Sequence, residues 1–159
     1  MSKKKNILVC FTPIQFKQLV INDAIVVVVD ILRATSVIST AFKNGIKEVI
    51  PVEKLEDAIK YKDKDNHIVA AERNTNIIEG FDFGNSPFHY INRNIQGKTL
   101  VLTTTNGTKA INIARNNMTI TSSFINIKAT SEFLINANRD VVILCSGWKN
   151  RFNIEDSIF

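Results

Sequence analysis

Residues 24–36 read Ala24-Ile25-Val26-Val27-Val28-Val29-Asp30-Ile31-Leu32-Arg33-Ala34-Thr35-Ser36. The first six form an almost unbroken β-branched run, the mark of a strand covered on both faces, as at the centre of a parallel sheet. From Ala34 to Asn44 the period changes: Ala34, Val37, Ile38, Ala41 and Phe42 recur at three and four positions, one helical stripe that Gly45 ends. Outward from this strand–helix unit the alternation continues. Strands are expected at Ile7–Val9, Glu48–Val52, Ile68–Ala71, Thr99–Thr103, Met118–Thr121 and Val141–Cys145, and helices at Lys54–Tyr61, Thr108–Arg115 and Ile127–Ala137. Ser86 as N-cap and Pro87 at the first helical position open a further helical segment. Alternation of this kind predicts an α/β fold, three-layer α/β/α with a largely parallel or mixed central sheet, in a single domain over residues 1–159.

Composition narrows the function classes. With 45% hydrophobic and 22% charged residues, 6 Gly and 3 Pro, the chain has the profile of a globular domain, which excludes fibrous and disordered architectures. No apolar run reaches a membrane span, and the start Met1-Ser2-Lys3-Lys4-Lys5-Asn6 leads into too short an apolar stretch for a signal peptide, so a cytoplasmic location is expected by default. Cys10 and Cys145 stand far apart without a CxxC or a neighbouring His, which reads as two reduced thiols. The net charge of +5 is scattered apart from Lys3-Lys4-Lys5, which argues against nucleic acid and suits an anionic small substrate.

Ligands of open α/β sheets bind beyond the carboxyl ends of the strands, so the polar residues after each apolar run are the candidates. Asp30 follows the central strand directly; such a carboxylate either caps the next helix or faces a cation. Arg33 offers a planar fork for phosphate or carboxylate, or else an ordinary salt bridge, Asp30 itself being one candidate partner. Thr103-Thr104-Thr105-Asn106-Gly107-Thr108 brings hydroxyls, an amide and a glycine between strand and helix, a cradle for an anion or simply a strand end and a cap. It is not a Walker loop. Glu72-Arg73-Asn74 and Ser146-Gly147-Trp148 end two other strands. Glu79-Gly80-Phe81-Asp82-Phe83-Gly84-Asn85-Ser86-Pro87 is a tight loop whose Asp82 suits a backbone bond and whose Asn85 and Ser86 suit capping. Glu155-Asp156 near Arg151 reads by itself as a solvated charge pair, and His67 and His89 read as structural or surface residues.

In order along the chain, Val29-Asp30-Ile31-Leu32-Arg33-Ala34-Thr35-Ser36, Glu72-Arg73, Gly80-Phe81-Asp82-Phe83-Gly84-Asn85-Ser86-Pro87, Thr103-Thr104-Thr105-Asn106-Gly107-Thr108 and the Cys145 to Asp156 tail resemble the 2-phosphosulfolactate phosphatase family. The resemblance implies an α/β/α fold, a Mg2+ cofactor and hydrolysis of 2-phosphosulfolactate to sulfolactate and phosphate, a step of coenzyme M synthesis in methanogens. Phosphate esters of other 2-hydroxy acids are the alternative substrates, and a truncated, inactive anion-binding relative is the alternative of another class. On this reading Asp30, Arg33, Glu72 and Arg73 are catalytic. Thr35, Asn85, Ser86, Thr104, Thr105, Asn106, Gly107 and Thr108 bind substrate, and Asp30, Glu155 and Asp156 hold the metal. The expected partner is a small anionic phosphate ester, with neither nucleic acid nor membrane, and homo-oligomerisation stays open. The chain departs from the family pattern in having Ala71 where Gly is usual, Ser146 where Ala is usual, and an end at Phe159 where relatives continue. It is therefore expected to be the amino-terminal part of a longer phosphatase.

Overall fold

The computed structural model describes residues 5–19, 22–73 and 76–159; Lys3, Lys4 and Asn74 of the segments singled out above lie outside them. The elements are β1 (Ile7–Cys10), α1 (Pro13–Lys17), β2 (Ile25–Val29), α2 (Ala34–Lys43), β3 (Glu48–Pro51), α3 (Leu55–Ile59), β4 (His67–Arg73), β5 (Asn76–Ile77), a 3-10 turn (Pro87–Tyr90), β6 (Thr99–Thr103), α4 (Gly107–Ala114), β7 (Met118–Ser122), α5 (Ile127–Ala137), β8 (Val141–Cys145) and α6 (Ile154–Ser157). Hydrogen bonds gather the strands into two four-stranded sheets, ordered β1-β8-β2-β7 and β3-β6-β4-β5. Pairing is parallel throughout except for the short β4–β5 ladder.

Side-chain alternation along each strand sends successive residues to opposite helical layers. Val26 and Val28 of β2 pack on Ala110 and Ala114 of α4, while Val27 faces the layer that holds Leu134 of α5. In the other sheet Ile68 and Ala70 of β4 pack with Val37, Ile38 and Ala41 of α2, and Val69 packs with Ala58 of α3. Ile111 of α4 joins the cores of both sheets. Each sheet is thus layered α/β/α as its buried runs predict, and α2 and α4 lie between the two. Every residue of β2 and of β6 is buried, and each fully buried Val contributes roughly 1.5–3 kcal/mol of apolar transfer free energy.

Three details differ from the expectation. Glu72 and Arg73 do not follow β4 but end it, because they pair with Ile77 and Asn76 of β5. The segment opened by Pro87 is one 3-10 turn, and Ser86 makes no side-chain cap. The Tyr90 hydroxyl instead donates to Gly84 O, and Gly84 N donates to His89 Nδ1, which holds the turn from below. Finally α1 and α6 are helices of five and four residues, too short for a periodic pattern and marked by caps alone: Thr12 Oγ1 accepts from Gln15 N, and Asn153 Oδ1 from Asp156 N. No described helix is long and apolar enough to cross a membrane.

Candidate functional site

The alternation that places Val26 and Val28 against α4 carries Asp30, the next residue of that parity, into the layer between the sheets. There the amino-terminal ends of α2 and α4 meet. Asp30 Oδ1 accepts from Ala34 N at 3.1 Å, the capping contact of the first helical residue. A Cβ built on Gly107, the first residue of α4, would overlap Ala34 Cβ and Asp30 Oδ2. Gly107 is therefore required for space rather than for an unusual backbone angle, and it seats the Thr103–Thr108 loop directly on the Asp30 carboxylate.

Asp30 is 7% exposed and Asp156 3%. Asp156 Oδ1 accepts from Ile31 N at 2.9 Å, and Oδ2 accepts from Ser146 Oγ at 2.9 Å and Gly147 N at 3.1 Å. Ser146, the residue after β8, also neighbours Asp30 and favours its charged form, so its hydroxyl, donated to Asp156, stands beside both acids. Burial first and the neighbouring Asp156 charge second push the Asp30 carboxyl up to about 7; burial raises that of Asp156 as well. The tail does not form the solvated acidic pair that its sequence suggests. Asn153 caps α6 so that Asp156 turns inward, while Glu155 stays half-buried with Oε1 accepting from Asn153 Nδ2 at 3.2 Å.

The threonines divide their labour. Thr35 Oγ1 donates to Asp30 O and accepts from Asp30 N, so it fixes the backbone of Asp30. Thr104 and Thr108 each take the other's backbone N–H on a side-chain oxygen, a reciprocal cap at the start of α4, and Thr108 Oγ1 donates in turn to Thr104 O. Thr105 Oγ1 and Asn85 Oδ1 are buried without a hydrogen-bond partner among the described residues, a costly state unless something else meets them. Asn106 Oδ1 accepts from Lys149 N, which ties the loop to the segment after β8.

Other candidates sort by face. Glu72 shares parity with Ile68 and Ala70 and so belongs to the inter-sheet layer, where it is buried. Arg73 projects the other way: its guanidinium donates to Thr103 Oγ1 at 2.8 Å and to the carbonyls of Glu72 and Glu53, joining the carboxyl ends of β3, β4 and β6. Arg33, half-buried, forms no ion pair with Asp30; the ion pairs among the described residues are Lys60–Asp57, Lys128–Glu132 and Arg139–Asp23. Asp82 Oδ2 accepts from Val69 N, a structural brace on β4. A cleft of about 440 Å³ is lined by Pro51–Lys54, Tyr61 and Arg115 and not by Asp30, and its Lys60 and Asp57 are already paired. We place the candidate site at Asp30, because buried acids and helix starts meet there.

Ser146 and Gly147 stand in the sequence among the polar strand endings, but without an assigned role. The rule that finds Asp30, a polar residue directly after a buried strand, finds Ser146 equally well.

The family model described as 2-phosphosulpholactate phosphatase matches residues 10–159. Among similar curated proteins, each named probable 2-phosphosulfolactate phosphatase, that of Caldanaerobacter subterraneus subsp. tengcongensis is 45% identical over 135 residues, covering 82% of this chain and 56% of the relative. That of Thermotoga petrophila is 47% identical over 130 residues, with the same shares of 82% and 56%. That of Clostridium tetani is 45% identical over 156 residues, covering 96% of this chain and 67% of the relative. The chain thus spans between just over half and two thirds of the length of these relatives. It carries the family's pattern along almost its whole extent, and it belongs to the 2-phosphosulpholactate phosphatase family.

Proposed function

We propose that this chain provides the phosphate-ester site of a Mg2+-dependent hydrolase acting on 2-phosphosulfolactate. The observation that carries the proposal is the meeting of Asp30 with the starts of α2 and α4 while Asp156 stands behind it across Ser146. A buried carboxylate whose proton affinity is raised by burial and by a second buried acid beside it is relieved by a proton or by a cation. The donors offered are hard oxygens without thiolate or imidazole, which fits magnesium. Among the described residues no group of three or more His, Cys, Asp or Glu could hold a metal, so an ion here would keep much of its water, as magnesium commonly does. When bound, Mg2+ would supply charge neutralisation on the phosphoryl oxygens and polarise a water.

The chain's own residues have separable tasks. Asp30 would hold the ion, and Asp156, with both oxygens already bonded, would orient Ser146 and Ile31 around it and add negative charge behind Asp30. Glu155 would stay in the solvated rim. The starts of α2 and α4 direct their positive dipole ends at one place, where a phosphoryl group gains, while the N–H groups of Ala34, Thr35 and Thr108 already have partners within the site. Arg33 would add a charge-assisted fork. Thr105 Oγ1, buried without a partner among the described residues, can donate to an oxygen of a bound substrate, while Asn85 Oδ1, which only accepts, would take a hydrogen bond from a water held there. Glu72, buried on the same layer, is the candidate to take or return a proton at the ester or the attacking water.

Phosphate release from 2-phosphosulfolactate, measured with Mg2+ and again with a chelator, tests this. Turnover is expected with the metal only, and Asp30→Asn is expected to lower it by at least about 10²–10³-fold with the circular dichroism unchanged. Full turnover by that variant, or by the chelated protein, would refute the assignment.

A further inference from the structure

The segment after β8 carries a feature that the proposed chemistry does not use. Trp148 and Arg151 exchange both backbone hydrogen bonds, each N–H donating to the other's carbonyl at 2.9 Å. The two residues between them, Lys149 and Asn150, have φ of 49° and 64°. This is a two-residue turn of the kind usually built from Asn and Gly. Gly147 precedes it at φ 63°, where a Cβ would overlap Arg151 O.

The turn is bolted to the site from several directions. Lys149 N donates to Asn106 Oδ1 at 3.0 Å, and Lys109 Nζ donates to Asn150 Oδ1 at 3.1 Å. Gly147 N donates to Asp156 Oδ2 at 3.1 Å. Its anchors are therefore the loop that packs on Asp30 and the acid behind Asp30. The side chains it presents are another matter. Trp148 is 45% exposed, and the Lys149 ammonium lies 5.7 Å from its ring centroid. Arg151 is exposed, and no ion pair among the described residues involves Lys149 or Arg151. Thr105 Oγ1, one residue before the Asn106 anchor, is buried with no partner among the described residues. An ordinary solvated turn has no need of so many anchors, and a left-handed lysine is less favourable there than the usual glycine.

We infer that the Trp148–Arg151 turn is the specificity clamp of the site, in which Lys149 and Arg151 bind the sulfonate of the substrate while the phosphoryl group sits at Asp30. This inference rests on the phosphate-ester reading above. A sulfonate is a spread, weakly hydrated monoanion, and two cations carried on one anchored turn, one of them near an aromatic face, suit it better than a single mobile lysine. The phosphoryl end is served by the helix starts, so the two ends of the substrate are read by two different elements that touch through Asn106.

The test uses two esters that share the phosphoryl end, 2-phosphosulfolactate and 2-phospholactate, which lacks the sulfonate. Lys149→Gly relieves the left-handed position and keeps the backbone donor to Asn106, so the variant should hold its melting temperature. Its ratio of kcat/KM for the sulfonated over the unsulfonated ester should fall about tenfold or more, since a hydrogen bond to a charged group is lost. Arg151→Gln should act in the same direction. An unchanged ratio in both folded variants overturns the clamp. If the wild-type chain hydrolyses neither ester, the phosphatase reading fails on its own, and calorimetric titration with the product sulfolactate decides the clamp separately. Binding weakened about tenfold by Lys149→Gly supports it, and equal binding overturns it.

Discussion

The carboxyl edges of the two sheets end in equally polar residues and have opposite characters. At the edge formed by β2 and β8, Asp30 and Asp156 are buried, share Ser146, and have no cation in an ion pair with them among the described residues. At the edge formed by β3, β4 and β6, the charge of Arg73 is directed onto three neutral oxygens, those of Glu53, Glu72 and Thr103. Around Arg73 the second edge is complete as a hydrogen-bonded unit. The first is not, since burial and mutual repulsion leave its acids in need of a positive partner. A polar strand end marks a candidate, and an unrelieved charge there distinguishes a site from a clasp.

If that contrast is right, Asp30→Asn separates stability from function most sharply. The folded carboxyl titrates at about 7 against an ordinary value of 3.8, so between those values the native state holds a proton that the unfolded chain releases. This stabilisation is full below about pH 4 and is lost as pH rises through about 7. Wild-type stability in a chelating buffer should therefore decline by on the order of 2–4 kcal/mol from pH 4 to pH 8. Asp30→Asn, which keeps an oxygen for Ala34 N, should flatten that decline and melt higher than wild type at pH 8 while losing turnover. Chemical denaturation across this range is the measurement, and a variant less stable than wild type at pH 8 would place Asp30 in the same class as the complete edge. Next in size is Gly107→Ala. Its methyl has no room between Ala34 and Asp30, so a loss of about 1–3 kcal/mol and a displaced Asp30 are expected, read as a lower denaturation midpoint and weaker Mg2+ binding.

How much of this could be read before the structure also follows the contrast. The layers were legible because the β-branched run of β2 and the stripe of α2 are long, periodic signals, and the strands at Thr99–Thr103 and Val141–Cys145 have the expected limits. Asp30 was legible because its position after a buried strand is itself unusual. The division of strands into two sheets was not, since a fully buried strand has the same sequence character in one sheet as in two. Nor was the inward turn of Asp156. That depends on Asn153 capping a single helical turn, a local signal one residue wide, and on contacts to Ile31, 125 residues away in sequence. Arg73 and Glu72 are adjacent in sequence and opposite in direction, a distinction that only the register of β4 reveals.

The smallest effect, and the one that tests the clasp, is Arg73→Lys. A lysine keeps the charge but loses the planar fork that reaches Thr103, Glu53 and Glu72 together. Hydrogen bonds of this partly buried kind contribute about 1 kcal/mol each in net terms, and one or two would be lost, so a fall in melting temperature of several degrees is expected. Because Arg73 projects to the α3 side while Asp30 lies between the sheets, kcat/KM should change by no more than a few-fold. The opposite pattern is equally readable: a loss of more than about tenfold in kcat/KM at an unchanged melting temperature would mean that the guanidinium leaves its three oxygens to meet the substrate. The Arg73 clasp would then be part of the site, and the charge of Arg73 would be the positive counterpart that the acids of the first edge require.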